Sequence, residues 1–435
     1  MKRLIGLLFI IYHSSFSPVR AQEWTARQCM QYAVEHNTQV RRAALELDNY
    51  EATKLGAIGS FLPSANGSVG VQYNFGRAID PETNGYTDVS TFYNGYSLSA
   101  SLPVFDGFSR VNALKAAKAS VLMGRNALRE QQDQTAIATL QAWVNAMYYE
   151  GTVAMAEEKQ RETALLLRQT QVLVEVGRKS AADLAQIEAQ QSEAAYELTR
   201  QENLLASAML DLKRQMAMPL DSTVNLGDGW YDDDLQTHQE PVAVMSHPAL
   251  QQQYHTMQAR LYEWRQARAA LLPALSLSAG LNTTFYKTLH SQTAASFSDQ
   301  LKNNMGEYFG ATVSIPLFNR LQTITSIRRA KNNYRIAREA YEDKQQELEK
   351  LSREAWQDLN AYMKQTEQMQ KKVEADSLAY QLTRRQYEEG LSTAIDLHTT
   401  STQLLQSKAT LLQCQLMAMV KHELVRYYNG ETIWN

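Results

Sequence analysis

Gly177-Arg178-Lys179-Ser180-Ala181-Ala182-Asp183-Leu184 returns as Gly390-Leu391-Ser392-Thr393-Ala394-Ile395-Asp396-Leu397, an offset of 390 − 177 = 213 residues. Two further landmarks keep the same order. Leu102-Pro103-Val104-Phe105-Asp106 recurs as Ile315-Pro316-Leu317-Phe318-Asn319, and 315 − 102 is again 213. Phe61-Leu62-Pro63-Ser64 recurs as Leu271-Leu272-Pro273-Ala274, where 271 − 61 = 210. Three ordered landmarks at nearly one spacing mark a duplicated chain. Each half reads helix, two strands, long helix, tight turn, helix. The frame gives a first repeat over residues 22–220, a linker over 221–245 and a second repeat over 246–435.

Outward from those turns, nothing breaks a helical pattern from Ser109 to Glu175 or from Gln322 to Glu389. At 1.5 Å per residue each stretch runs about 100 Å, a length suited to a coiled-coil tube. The return helices carry the matching seam. Leu184, Ile187, Gln191, Ala194, Leu198, Gln201, Leu205, Ala208 and Leu212 keep an unbroken three-four spacing. Leu397, Thr400, Leu404, Ser407, Leu411, Cys414 and Ala418 repeat it. Leu mixed with small and polar residues suits close packing in a shared wall.

Between the helices the period falls to two. Val69, Val71, Tyr73 and Phe75 alternate with Ser68, Gly70, Gln72 and Asn74, and comparable runs span 91–105, 274–285 and 307–318. These read as strands with one apolar face. Pro63, Pro103, Pro273 and Pro316 mark the changes of element. Four strands cannot close a barrel, since about eight is the smallest number that works. Apolar faces of this size need a packed partner or lipid, and the Ser, Gly, Thr, Asn and Gln on the opposite faces match the lumen of a membrane barrel. Closure then requires several subunits. The expected class is mostly α with a membrane β-barrel part.

Residues 1–21 have the parts of a signal peptide: Lys2 and Arg3, an apolar run from Leu4 to Tyr12, and a small-residue site at Val19-Arg20-Ala21. That run is too short to span a bilayer. Gly (19) and Pro (9) are scarce, as long helices require. A net charge of −3 gives no case for nucleic acid. Two cysteines, Cys29 and Cys414, make no disulfide framework. His36, His238, His247, His255, His290, His398 and His422 make no metal-ligand spacing. His398 stands two residues past Asp396. With no phosphate loop and no nucleophile elbow, no catalytic, metal or cofactor residues are expected. The rival to a pore is an exported coiled-coil scaffold with a small β module.

The duplicated frame, Leu-Pro-Val-Phe-Asp-Gly at 102–107 and Tyr387-Glu-Glu-Gly-Leu-Ser-Thr-Ala-Ile-Asp-Leu397 together resemble the TolC-type outer-membrane efflux family over essentially the whole mature chain. The resemblance implies a homotrimer in outer-membrane lipid, a twelve-stranded β-barrel continued by a periplasmic α-helical barrel. It also implies a periplasmic adaptor (membrane fusion protein) and an inner-membrane RND or ABC transporter as partners. The turns Val176, Gly177, Arg178, Lys179, Ser180 and Glu389, Gly390, Leu391, Ser392, Thr393 then correspond to tips that adaptors grip. From the residues alone, each Gly is a helix C-cap with positive φ. Asp183 and Asp396 read in two ways: as first-turn acids favoured by the helix dipole, or, by resemblance, as a latch residue and a constricting ring, with Tyr387 as the latch's hydroxyl donor. Ser392 stands where the family has an arginine latch partner, and Thr399 where it has a second acidic ring.

Overall fold

The structure, a computed structural model, describes residues 23–79, 84–88, 90–227, 244–289 and 296–434. The expected signal peptide and most of the linker (228–243) lie outside the described residues. The first half runs β1 (Glu23–Trp24), α1 (Ala26–His36), α2 (Thr38–Gly59), β2 (Ser64–Asn74), β3 (Arg77–Ile79), β4 (Tyr86–Asp88), β5 (Thr91–Phe105), α3 (Ser109–Glu175) and α4 (Ala181–Gln215). The second runs β6 (Asn225–Leu226), α5 (Pro248–Ala269), β7 (Ala274–Thr288), α6 (Phe297–Asn303), β8 (Gly306–Ser314), α7 (Gln322–Glu388) and α8 (Ala394–Tyr428). Corresponding helices match in length: 22 residues in α2 and α5, 67 in α3 and α7, 35 in α4 and α8.

Two compact units divide the chain, and each draws on both halves. The sheet unit comprises Arg42–Glu130 and Met245–Leu348. Its four antiparallel strands lie in the order β2-β5-β7-β8. The central pair, β5 and β7, stays in register from Thr91↔Thr288 to Pro103↔Ser276, then slips at a bulge to Phe105↔Leu275. β2 and β8 are the edges, each with one unpaired flank. Their apolar side chains are bare: Val69, Val71 and Tyr73 on β2, with Phe75 just past its end, and Phe309 and Val313 on β8.

The last strand departs from expectation. It was expected to reach Phe318 and stops at Ser314. Its counterpart in β5, residues 102–105, is held by β7, whereas 315–318 has no strand beside it among the described residues, and Pro316 has no N–H to offer. Leu317 and Phe318 are left 91 % and 79 % exposed. The short β3–β4 pair, helix α6 behind its Ser296 cap, and the parallel β1–β6 pair were not foreseen.

At the start of α5, His247 is fully buried, and its Nδ1 accepts from the Ala249 N–H at 3.2 Å. Burial, assisted by the Lys344 charge, pushes its pKa down to about 4. The folded protein therefore holds this proton more weakly than the unfolded chain, where His titrates near 6.5. That stability is present above pH 6.5 and is lost as pH falls through 4, in all about 3 kcal/mol. His247→Asn keeps a capping acceptor without the proton. Its thermal midpoint should fall less between pH 7 and 4.5 than the wild-type midpoint, and an equal fall would clear His247 of the effect.

The described residues of the helical unit are 23–41, 131–227, 244 and 349–434. Its main core gathers Met30, Leu140, Trp143, Leu212, Met216, Met419, Val420 and Ile433 from α1, α3, α4, α8 and the C-terminal segment. Small residues let the helices approach: Ala33, Ala136 and Ala146 are fully buried. Trp143 Nε1 donates to the Trp24 carbonyl at 3.1 Å, closing β1 over that core. The seams read from sequence face inward: Ile187, Ala194, Ala208 and Leu212 on α4, and Leu397, Leu404, Ser407, Cys414 and Ala418 on α8, are buried.

Candidate functional site: the two helical tips

Both tips are built the same way. At the end of α3 the Arg178 N–H donates to the Leu173 carbonyl (2.8 Å) and the Gly177 N–H to that of Val174 (3.0 Å). At the end of α7 the Leu391 N–H donates to the Gln386 carbonyl (2.8 Å) and the Gly390 N–H to that of Tyr387 (3.1 Å). This double closure needs a left-handed residue, and Gly177 (φ +74°) and Gly390 (φ +81°) supply it. Three residues on, a capping box starts the return helix. Ser180 Oγ accepts from the Asp183 N–H (3.1 Å), while the Ser180 N–H and hydroxyl donate to Asp183 Oδ2 (3.1 and 2.8 Å). Thr393 and Asp396 repeat this at 3.2, 3.0 and 2.7 Å, and Ser392 Oγ adds a bond to Asp396 Oδ2 at 3.2 Å.

Those bonds set the electrostatics. The side chain and backbone of Ser180, with the Lys179 charge adding, hold Asp183 below the usual carboxylate range. Thr393, then Ser392, does the same for Asp396. Both carboxylates stay ionised at neutral pH. Asp396 is exposed and Asp183 half-buried.

Tyr387 is placed differently from the latch expected by resemblance. Its ring is buried beside Ile187, Ala394 and Leu397, and its hydroxyl lies 3.3 Å from that of Thr170 on α3. It makes no hydrogen bond to Asp183, which is engaged by Ser180. Lys179 Nζ sits 3.9 Å from the Tyr387 ring centroid, bringing the first tip onto α7. Gln190 Nε2 donates to the Ala394 carbonyl at 3.3 Å, tying α4 to α8. What the tips show to solvent differs: Val176 and Arg178 on one, Glu389, Leu391 and Ile395 on the other. His398 is half-buried and borders an open cavity of about 680 Å³ with Lys372, Gln403 and Ser407.

Above the tips lies a polar layer that sequence reading missed. Lys159 reaches Ser401 Oγ on α8 and Glu162 (3.9 Å), and Arg384 on α7 reaches Glu162 at 3.5 Å. Burial lowers the Lys159 pKa and raises that of Glu162, each opposed by the other's charge. The available signal was the i, i+3 spacing of Lys159 and Glu162 on α3. Among the described residues no helix is long and apolar enough to cross a membrane, and no three His, Cys, Asp or Glu are grouped to hold a metal ion.

Paired helical hairpins with glycine tips occur here on a chain that also carries an open-edged antiparallel sheet. The family model described as outer membrane efflux protein matches residues 242–419. The chain is 24 % identical to the outer membrane efflux protein BepC of Brucella suis over 82 % of its own length and 75 % of BepC. It is 23 % identical to the outer membrane protein TolC of Escherichia coli over 94 % of its length and 83 % of TolC. The crystal structure of CusC superposes with a TM-score of 0.82 at 18 % identity, covering 94 % of this chain and 92 % of CusC. The chain is thus similar in sequence to outer-membrane efflux proteins and shares the fold of CusC.

Proposed function

We propose that three copies of this chain form the exit duct of a tripartite efflux or type I secretion system. Cargo passes from an inner-membrane RND or ABC transporter through a periplasmic adaptor and out across the outer membrane. One observation carries the reading: a single chain holds both a sheet with bare apolar side chains and two unpaired edges, and a pair of capped helical tips. The first needs lipid and further copies; the second is a rigid docking surface. Val176 to Ser180 and Glu389 to Thr393 are the adaptor-docking segments, the first basic and the second presenting Leu391 beside the Glu389 carboxylate. Asp183, Asp396 and Tyr387 form the gate. Its carboxylates cap the hairpins and favour cations, and Tyr387 fastens α7 to α3 through Thr170.

The test begins with Gly390→Val. Nothing lies within 4 Å of where its Cβ would stand, so the cost is conformational, about 1–2 kcal/mol confined to the turn. We expect export to fall while outer-membrane insertion, trimer mass and conductance in planar bilayers are retained. Adaptor cross-linking at Leu391 and Lys179 should fall with it. Full export by the variant, or no cross-link from either position in wild-type cells, would show that the adaptor docks elsewhere.

A further inference from the structure

The two edges of the sheet carry a register that the chain itself spells out. Adding 210 to a β2 residue and 213 to its β5 partner returns a β7–β8 pair: Ser64↔Ser101 becomes Ala274↔Ser314, and Asn66↔Ser99 becomes Ser276↔Thr312. The hairpin within each repeat is thus one structure written twice, to the residue. The chain holds a second kind of joint, between β5, which ends the first hairpin, and β7, which begins the second. The unpaired flanks of β8 and β2 are the same two positions, one repeat on.

We infer that β8 pairs antiparallel with β2 of a second copy in the register of the β5–β7 joint, so that each β5 residue advanced by 213 gives a β8 residue and its β7 partner set back by 210 gives the β2 residue it meets. Ala100↔Ala279 then becomes Val313↔the partner subunit's Val69. Leu98↔Leu281 becomes Ala311↔the partner subunit's Val71, and Tyr96↔Thr283 becomes Phe309↔the partner subunit's Tyr73. This rests on the trimeric reading above and adds the residue-level seam. Three observations support it. The side chains it brings together, Val313 and Phe309 with Val69, Val71 and Tyr73, are the ones left bare at 55–77 % exposure. The β5–β7 joint continues through its bulge to Phe105↔Leu275, so its copy runs on to Phe318↔the partner subunit's Ala65. Residues 315–318, without a strand partner among the described residues, thereby complete β8 on assembly.

The copy departs from the original at one turn. A Cβ on Gly107 would lie 2.6 Å from the Ala269 carbonyl oxygen and 2.8 Å from Leu272 Cβ, so the β5–β7 joint closes there only because the residue is glycine. The equivalent residue is Arg320, also left-handed at φ +56°, and it carries a Cβ. The seam between copies is therefore wider at this turn than the joint within the chain.

Cysteine pairing tests the register on the full-length protein in outer-membrane fractions. Directly opposed residues lie within disulfide reach, whereas residues displaced by two along the strand lie about 7–8 Å away. Oxidised Val69→Cys/Val313→Cys should migrate on non-reducing gels as three linked copies, in roughly 10-fold greater yield than Val69→Cys/Ala311→Cys or Val69→Cys/Ile315→Cys. Size-exclusion mass in detergent is read on the same samples. A trimer linked best through 311 or 315, or through none of the three, overturns the register and leaves the trimer standing. A monomer overturns both.

Discussion

Gly107→Ala should be among the most damaging additions of a single methyl to this protein, lowering the stability of the sheet unit by about 3 kcal/mol. Two costs combine. The residue holds φ +65° between β5 and α3, a conformation that side chains disfavour. Its new methyl would meet the Ala269 carbonyl oxygen at 2.6 Å, a backbone atom fixed at the end of α5, and Leu272 Cβ at 2.8 Å. Gly177→Ala separates the two costs. That residue is left-handed as well, yet has nothing within 4 Å of its Cβ position, so it should lose only about 1 kcal/mol. Urea midpoints of the two variants against wild type read the difference directly. Similar midpoints would mean that the β5–α3 turn has room it does not show.

That contrast also explains what could be read in advance. Gly177 and Gly390 announce themselves because each interrupts a long helical pattern, and a helix that turns back needs a left-handed residue there. The ends of α3 at Ser109 and Glu175 follow from the same logic. Gly107 gives no such notice, because its necessity comes from Ala269 and Leu272, 162 and 165 positions away. The alternation of β2, β5 and β7 fixes their faces, yet β8 stops at Ser314, where no further strand stands beside it among the described residues. Ser180-x-x-Asp183 and Thr393-x-x-Asp396 carry a capping-box signature, so the bonding of both carboxylates was legible. The Thr170 partner of Tyr387, 217 positions distant, was not.

Tyr387→Ala should melt the tip, and Tyr387→Phe should loosen it only slightly. The ring is 2 % exposed and packs with Ile187, Ala394 and Leu397 from the return helices. Truncating a buried aromatic of this size costs about 3–5 kcal/mol. The core around Trp143 is a separate cluster and should stay folded. Amide exchange near 166–190 and 380–400 should therefore accelerate several hundred-fold, with residues 136–147 still protected. Phenylalanine keeps the packing and the seat for Lys179, and loses only the 3.3 Å contact with Thr170. That hydrogen bond is worth about 0.5–1.5 kcal/mol, a shift of up to roughly 10-fold in any equilibrium it biases. Conductance in planar bilayers should rise for Phe with little change in trimer mass. Equal exchange rates in the Ala variant and wild type would show that the tip does not depend on this ring.

Matched helix lengths bear on how such a chain tolerates insertions and deletions. From α2 through β2 the two halves stand 210 residues apart, and from β5 to the end of α8 they stand 213 apart. The whole net difference in length between the copies thus falls between the first and second strand of each half. Removing one residue from α3 would turn everything beyond it by about 100° and draw it back by about 1.5 Å. The seam facing α4 would then be presented to the wrong neighbour, and the partner helix would overhang its own turn. A reading-frame-preserving change in those helices is tolerable only when its mate changes by the same amount at the same height. The segments joining the first and second strands carry no such debt, and peptide tags belong there.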